Sequence, residues 1–150
     1  MDTAERFAEL SSAKRLQVGA IIVKDNRIIS IGYNGMPSGW DNNCEDAILP
    51  TWATSIDDID EADRAVYVTY KSKPEVLHAE ANAITKVAQS SDSSKGATLF
   101  CTHEPCIDCA KLIYQSGITK LIFKHKYNAA KGYGGDFLVK SGIDVEQLTS

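Results

Sequence analysis

Val18-Gly19-Ala20-Ile21-Ile22-Val23-Lys24-Asp25-Asn26-Arg27-Ile28-Ile29-Ser30-Ile31 is the stretch on which the fold turns. Two β-rich runs flank Lys24-Asp25-Asn26-Arg27, a polar interruption of the kind that closes a tight turn, so the segment predicts an antiparallel hairpin. Downstream, helical and strand-like runs alternate. An alanine-rich helix is expected over 78–89, then the linker Ser90-Ser91-Asp92-Ser93-Ser94-Lys95-Gly96, a strand over 97–102, and a helix over 106–116 stopped by Gly117. A strand over 118–124, a short helix near 136–141 stopped by Gly142, and a strand over 143–148 complete the chain. Strands joined by helices run parallel, so the pattern predicts an α/β protein: a mixed sheet of about five strands, with an opening hairpin, then parallel strands, and helices on both faces.

Upstream of the hairpin, Ala4, Phe7, Ala8 and Leu10 have helical spacing within 3–13, with Asp2 or Thr3 as N-cap. Between hairpin and long helix lies a different kind of segment. Asp41 to Asp63 holds eight acidic residues and no lysine or arginine. An irregular, solvated excursion over about 41–76 is therefore expected, with Trp40 and Trp52 as candidates to pin its ends and a short strand possible around Val66–Thr69.

At 150 residues the chain reads as one domain with room for a core, 1–150. Its 43% apolar and 24% charged residues are those of an ordinary globule, and no apolar run reaches membrane length. Nothing resembles a signal peptide, and four cysteines suit a reducing compartment better than a disulfide framework, which together point to the cytoplasm. Twenty acidic residues against sixteen basic ones, net charge −4, argue against a nucleic-acid partner and for a small nucleotide.

The chemistry is concentrated in His78-Ala79-Glu80 and Pro105-Cys106-Ile107-Asp108-Cys109. Catalytic zinc takes three protein ligands and leaves a fourth position for a water whose pKa falls to about 7. His78, Cys106 and Cys109 supply three. Cys106 and Cys109 are three apart, hence on one side of a helix, and Pro105 suits the approach to its first turn. His78 and Glu80 are two apart, so they too share a site only at a helix beginning. A structural zinc closes its shell with a fourth Cys or His; Cys44 and Cys101 lack ligand spacing, and although His103 and His125 could in principle reach the metal, a structural site would leave Glu80 without a role. A metalloprotease of the His-Glu-x-x-His kind would need His where Asn82 stands, and phosphoryl transfer prefers hard oxygen ligands. Two thiolates, one imidazole and a free carboxylate match zinc deaminases, in which activated water attacks C4 of cytosine or C6 of adenine. Glu80 is then the proton shuttle, and the Ala79 N–H a candidate donor to the developing oxygen.

These motifs, with Val18–Val23, Arg27–Ser30, Gly32-Tyr33-Asn34-Gly35-Met36-Pro37-Ser38-Gly39 and His78-Ala79-Glu80-Ala81-Asn82-Ala83-Ile84, resemble the deoxycytidylate (dCMP) deaminase family of the zinc-dependent cytidine deaminase superfamily, from about Leu16 to Tyr127. The resemblance implies a three-layer cytidine-deaminase-like fold and hydrolysis of dCMP to dUMP and ammonia, which feeds thymidylate synthesis. It implies that Asn34 meets the deoxyribose or base, that Asn82 lies near the nucleotide and that Tyr127 packs on the pyrimidine. Turn geometry for Asn34, helix packing for Asn82 and half-buried aromatic packing for Tyr127 are the plain structural alternatives. It further implies activation by dCTP and inhibition by dTTP, with Mg2+ on their phosphates, at a subunit contact of a homo-oligomer, expected to be a homohexamer. Lys24, Asp25, Arg27, Asn34 and Gly35 match that allosteric region; a solvated hairpin tip is the alternative for Lys24 and Arg27.

Some members hold a second, structural zinc through a cysteine where Ala13 stands and an acid where Val76 stands. Neither ligand is present, so one Zn2+ per chain is expected and Cys44 is read as a free thiol. Lys124, His125, Lys126 and Lys131 are the basic residues expected near the site. The rival readings are deamination of another free nucleotide or base, including a bifunctional dCMP/dCTP enzyme, cytidine or guanine, and a catalytically silent zinc-binding subunit.

Overall fold

The computed structural model describes residues 1–127 and 132–149. The opening helix α1 (Asp2–Ala8) is shorter than its apolar spacing predicts and starts from Met1 as N-cap; Leu10 falls beyond it, exposed. The hairpin is present as β1 (Gly19–Lys24) and β2 (Arg27–Tyr33). Asp25 and Asn26 both have positive φ, 51° and 58°, which is the two-residue turn whose twist matches the strands it joins. A register shift between Ile22 and Val23 leaves Ile29 as the extra residue of a bulge.

Next come β3 (Glu45–Ile48), two single 3-10 turns, the one-turn helix α2 (Arg64–Tyr67) and β4 (Thr69–Ser72). β3 and β4 pair antiparallel, so the acidic segment carries a small two-stranded sheet where irregular chain was expected. Exposed Asp46 and Ile48 on β3 hide the alternation that marks strands. Trp40 and Trp52 do not pin the segment: both are more than half exposed, and Trp52 stacks edge-on against Tyr67 within it.

The remaining elements are α3 (Ala79–Ala88), β5 (Thr98–His103), α4 (Ile107–Gln115), β6 (Lys120–His125), α5 (Gly134–Lys140) and β7 (Asp144–Gln147). The main sheet has the order β2-β1-β5-β6-β7, antiparallel through β1 and parallel from β5 to β7, as the alternation of elements predicts. One face buries Ala20, Ile22, Leu99, Cys101, Leu121 and Phe123 against α3, α4 and α5; α1 covers the other. Two glycines set the spacing. A Cβ at Gly32 would lie 2.2 Å from the Ala79 carbonyl oxygen, and one at Gly19 would lie 1.9 Å from that of Ala4. Both helices therefore lie directly on the hairpin, α3 and α1 on opposite sides of it. Ser30 Oγ and Asn82 Nδ2 clasp α3 further by donating to the Ala83 and Tyr33 carbonyls at 2.7 and 2.8 Å. No helix of the described residues is long and apolar enough to cross a membrane.

Candidate active site

The two motifs meet because both open helices at one end of the sheet. His78 is the N-cap of α3, with extended backbone (φ −72°, ψ 157°), and Cys106 is the N-cap of α4 (φ −70°, ψ 167°). In each case the extended residue turns its side chain away from the helix that follows, toward the other motif. Reciprocal backbone bonds between Gly35 and Leu77, 3.1 and 2.9 Å, fix the approach to His78. α4 itself follows β5, so Cys106 and Cys109 stand beyond the carboxyl end of a parallel strand, where open α/β sheets place their sites.

His78 Nδ1 lies 3.5 Å from Cys106 Sγ and 3.4 Å from Cys109 Sγ, and the three donor atoms lie within 4.8 Å of one another. Tetrahedral zinc with ordinary Zn–S and Zn–N lengths separates such N and S atoms by about 3.5 Å. The donor set therefore fits zinc in both chemistry and spacing. Among the described residues it is the one group of three or more potential ligands so arranged. The hydrogen bond from Cys109, with His78 beside it, lowers the Cys106 thiol well below its ordinary value, while that same bond and burial raise the Cys109 thiol and keep its proton in place. A metal displaces this shared proton. First-turn N–H groups of both helices face the cluster and favour its negative charge.

Glu80, in the first turn of α3, is 4% exposed. Burial raises its carboxyl above the usual carboxylate range; its own N–H and the Cys101 thiol oppose the shift by donating to it. The Cys101 thiol, pushed well up by burial and by Glu80, keeps the proton that it donates. Ala79, wholly buried, is the first helical residue, so its N–H has no acceptor within the helix.

A cavity of about 760 Å³ opens over these groups. His78, Ala79, Glu80 and Cys106 form one wall, and Asn34 and Tyr127 join them. Arg15, Lys73 and Lys126 bring positive charge, which suits an anionic ligand of nucleotide size. His103 and His125, register partners on β5 and β6, lie 5.1 Å apart between ring centroids with their planes tilted by 40°, and Tyr127 stands edge-on to His103. Burial and the neighbouring His125 lower the His103 pKa, so it stands neutral, its Nδ1 2.9 Å from Thr102 Oγ1.

The remaining expected residues are more dispersed. Asn34 has no positive φ; its amide links Val18 N–H (2.8 Å) to the Leu16 carbonyl (2.7 Å) and so shapes the cavity wall. Asn82 lines a separate cavity of about 570 Å³ with Tyr33, Gly35 and Lys86. Lys24 donates to the Ser93 carbonyl and Arg27 pairs with Asp92, both at the hairpin tip. Asn34 and Gly35 lie at the far end of seven-residue β2, roughly 20 Å away, so one chain does not bring the five allosteric candidates together. Lys124 points to the α1 face and pairs with Glu5 at 2.6 Å, away from the cavity; Lys131 lies outside the described residues. Sequence reasoning missed Arg15, Lys73 and Glu45 as cavity residues. The first sits in an aperiodic loop, and the other two belong to the segment read as irregular.

Comparison with known proteins agrees with this geometry. A family model for the cytidine and deoxycytidylate deaminase zinc-binding region matches residues 1–125. The deoxycytidylate deaminase of Enterobacteria phage T4 is 38% identical, over 86% of this chain and 77% of that protein. The human deoxycytidylate deaminase is 40% identical, over 82% of this chain and 61% of that protein. The crystal structure of a dCMP deaminase from cyanophage S-TIM5 in complex with dCMP and dUMP superposes with a TM-score of 0.77 at 39% identity, covering 98% of this chain and 92% of that one. A zinc-type donor set beside a buried carboxylate, on a fold and sequence shared with these proteins, places the chain in the cytidine and deoxycytidylate deaminase family.

Proposed function

We propose that the chain hydrolyses dCMP to dUMP and ammonia and so supplies dUMP for thymidylate synthesis. The observation that carries this reading is the placement of buried Glu80 beside the His78, Cys106 and Cys109 donor atoms, on one wall of a cavity that also presents Arg15, Lys73 and Lys126. The cyanophage relative solved with dCMP and dUMP supports the choice of substrate.

His78, Cys106 and Cys109 would hold the zinc. When bound, it supplies a Lewis acid that lowers the pKa of a coordinated water to about 7. Glu80 takes a proton from the attacking water and delivers it to ring N3 as oxygen joins C4. Glu80 then carries the hydroxyl proton of that oxygen to the amino nitrogen, the C4–N bond breaks and ammonia leaves. A carboxyl whose burial raises its pKa is suited to both transfers. The Ala79 N–H is assigned to the developing oxygen and Tyr127 to the pyrimidine. Asn34 shapes the sugar side, and Asn82 acts on the nucleotide at one remove by clasping α3 to β2.

The regulatory reading has dCTP activating and dTTP inhibiting, each with Mg2+, in a cytoplasmic homohexamer built of single 1–150 domains. Lys24, Asp25 and Arg27 would grip phosphates, with Asn34 and Gly35 contributed by another subunit. Their separation within one chain supports a shared site. The test is ammonia release by zinc-loaded protein offered dCMP, CMP, deoxycytidine, dCTP and guanine, with and without dCTP–Mg or dTTP–Mg. Preference for dCMP, raised by dCTP and suppressed by dTTP, is expected; turnover confined to another compound would overturn the substrate assignment.

A further inference from the structure

We propose that Glu45 accepts a hydrogen bond from the 3′-hydroxyl of the substrate sugar and is a specificity-determining residue of this site. The inference rests on the dCMP reading above and deepens it. Glu45 opens β3 and is 4% exposed. Its Oε1 accepts the backbone N–H groups of Lys14 at 2.8 Å and Arg15 at 3.3 Å, which anchors the loop carrying Arg15 to the cavity. Its Oε2 is buried with no hydrogen-bond partner among the described residues, and Glu45 lines the same cavity as His78 and Glu80. A buried carboxylate oxygen without a partner is costly, so the arrangement calls for one, and that partner must be a donor.

With its phosphate ionised, dCMP has two hydrogen-bond donors, the exocyclic amino group and the 3′-hydroxyl. Ring N3 and O2 accept, and phosphate oxygens both accept and repel a carboxylate. The amino group is the leaving group and belongs at Glu80 and the metal ligands. The 3′-hydroxyl remains. Asn34, the other polar side chain expected at the sugar, already has its amide engaged at both ends. Glu104, the second buried carboxylate of the cavity with a bare Oε2, has Lys126 Nζ 3.5 Å from that oxygen as counter-charge. Among the described residues, Glu45 is the buried carboxylate whose free oxygen has no such cation. A hydroxyl donating to a carboxylate makes a charge-assisted bond, and a site built around one discriminates against an analogue that lacks it.

The test compares dCMP with 2′,3′-dideoxycytidine 5′-monophosphate, first on the zinc-loaded wild type. A preference for dCMP of about 10- to 100-fold in kcat/KM, carried mainly by KM, is expected. Glu45→Gln retains an acceptor for the Lys14 and Arg15 N–H groups and puts an amide NH2 in place of Oε2. In this variant kcat/KM for dCMP should fall toward that of the dideoxy compound, whose own value stays unchanged. Equal use of both nucleotides by the wild type overturns the proposal with no variant involved. An equal fall on both substrates in Glu45→Gln also overturns it, since that is a structural effect. If the wild type converts neither nucleotide yet deaminates another base compound, the dCMP reading fails and this proposal falls with it. That outcome is distinct from the other two because dCMP turnover itself is missing.

Discussion

Gly32 is where the fold holds the chemistry in place, and replacing it with alanine tests that directly. A methyl group there would begin 2.2 Å from the Ala79 carbonyl oxygen and 2.6 Å from the Ala83 nitrogen, both backbone atoms of α3 that cannot rotate away. Ordinary contact begins at 3.4 Å, so the helix must retreat from β2 by about 1.2 Å, the difference between 3.4 and 2.2. Overpacking of this kind costs about 1–3 kcal/mol, and 2 kcal/mol lowers Tm by roughly 4–8 °C in a domain of this size. The activity loss should exceed what stability alone suggests. His78, Ala79 and Glu80 ride on the displaced turn, whereas Cys106 and Cys109 belong to α4, so the imidazole shifts relative to the two thiols as well. A misplacement of about 1 Å costs on the order of 10²-fold in rate. Gly32→Ala should therefore melt several degrees lower and lose about 10²-fold in kcat. Gly35→Ala is the control, because its Cβ would meet nothing within 4 Å and its φ is not positive. Its Tm should match the parent. A Gly32→Ala protein with parental Tm and kcat would refute the claim that α3 is seated on β2 at this glycine.

Cys106→Ser should abolish stoichiometric zinc at neutral pH, read by metal analysis of dialysed protein, because serine does not supply the thiolate of the three-ligand set. Cys44→Ser should leave the zinc content at one per chain, since Cys44 is buried beside Ser12, outside that group; a lost equivalent would reveal a second site. Glu5 is held below the usual carboxylate range mainly by its hydrogen bond from Lys124, with the Lys124 charge adding to it. A depressed folded-state pKa gives stability that is present above the ordinary glutamate pKa and lost as pH falls through the folded value. Lys124→Ala should therefore lower stability at pH 7 by roughly a few tenths of a kcal/mol for a partly exposed pair, read as a slightly lower Tm, with the difference vanishing in acid.

What the sequence made legible was periodic or chemically paired. The hairpin could be read because β-branched runs flank a turn of polar residues, and Asp25 and Asn26 do take the left-handed conformation. The helix starts at His78 and Cys106 followed from a demand of the chemistry: residues two or three apart had to share one site. The small sheet of β3 and β4 was hidden because its strands are only four residues long and largely exposed, so neither alternation nor apolar content marks them. That concealed Glu45 and Lys73. Lys124 was expected near the site by its place in sequence, but strand alternation sends its side chain to the opposite face from Phe123. The candidate allosteric residues are at most eleven positions apart, and an extended strand turns that short separation into a long one.

The role proposed for Glu80 is to move protons for a reaction run at the His78, Cys106 and Cys109 site. The measurement closest to it is ammonia release from dCMP by zinc-loaded Glu80→Gln beside the parent, with zinc content and Tm taken on the same samples. Parental zinc and a folded protein are expected, with kcat reduced by about 10²- to 10⁴-fold. Near-parental turnover with zinc in place would contradict it and remove Glu80 from the mechanism.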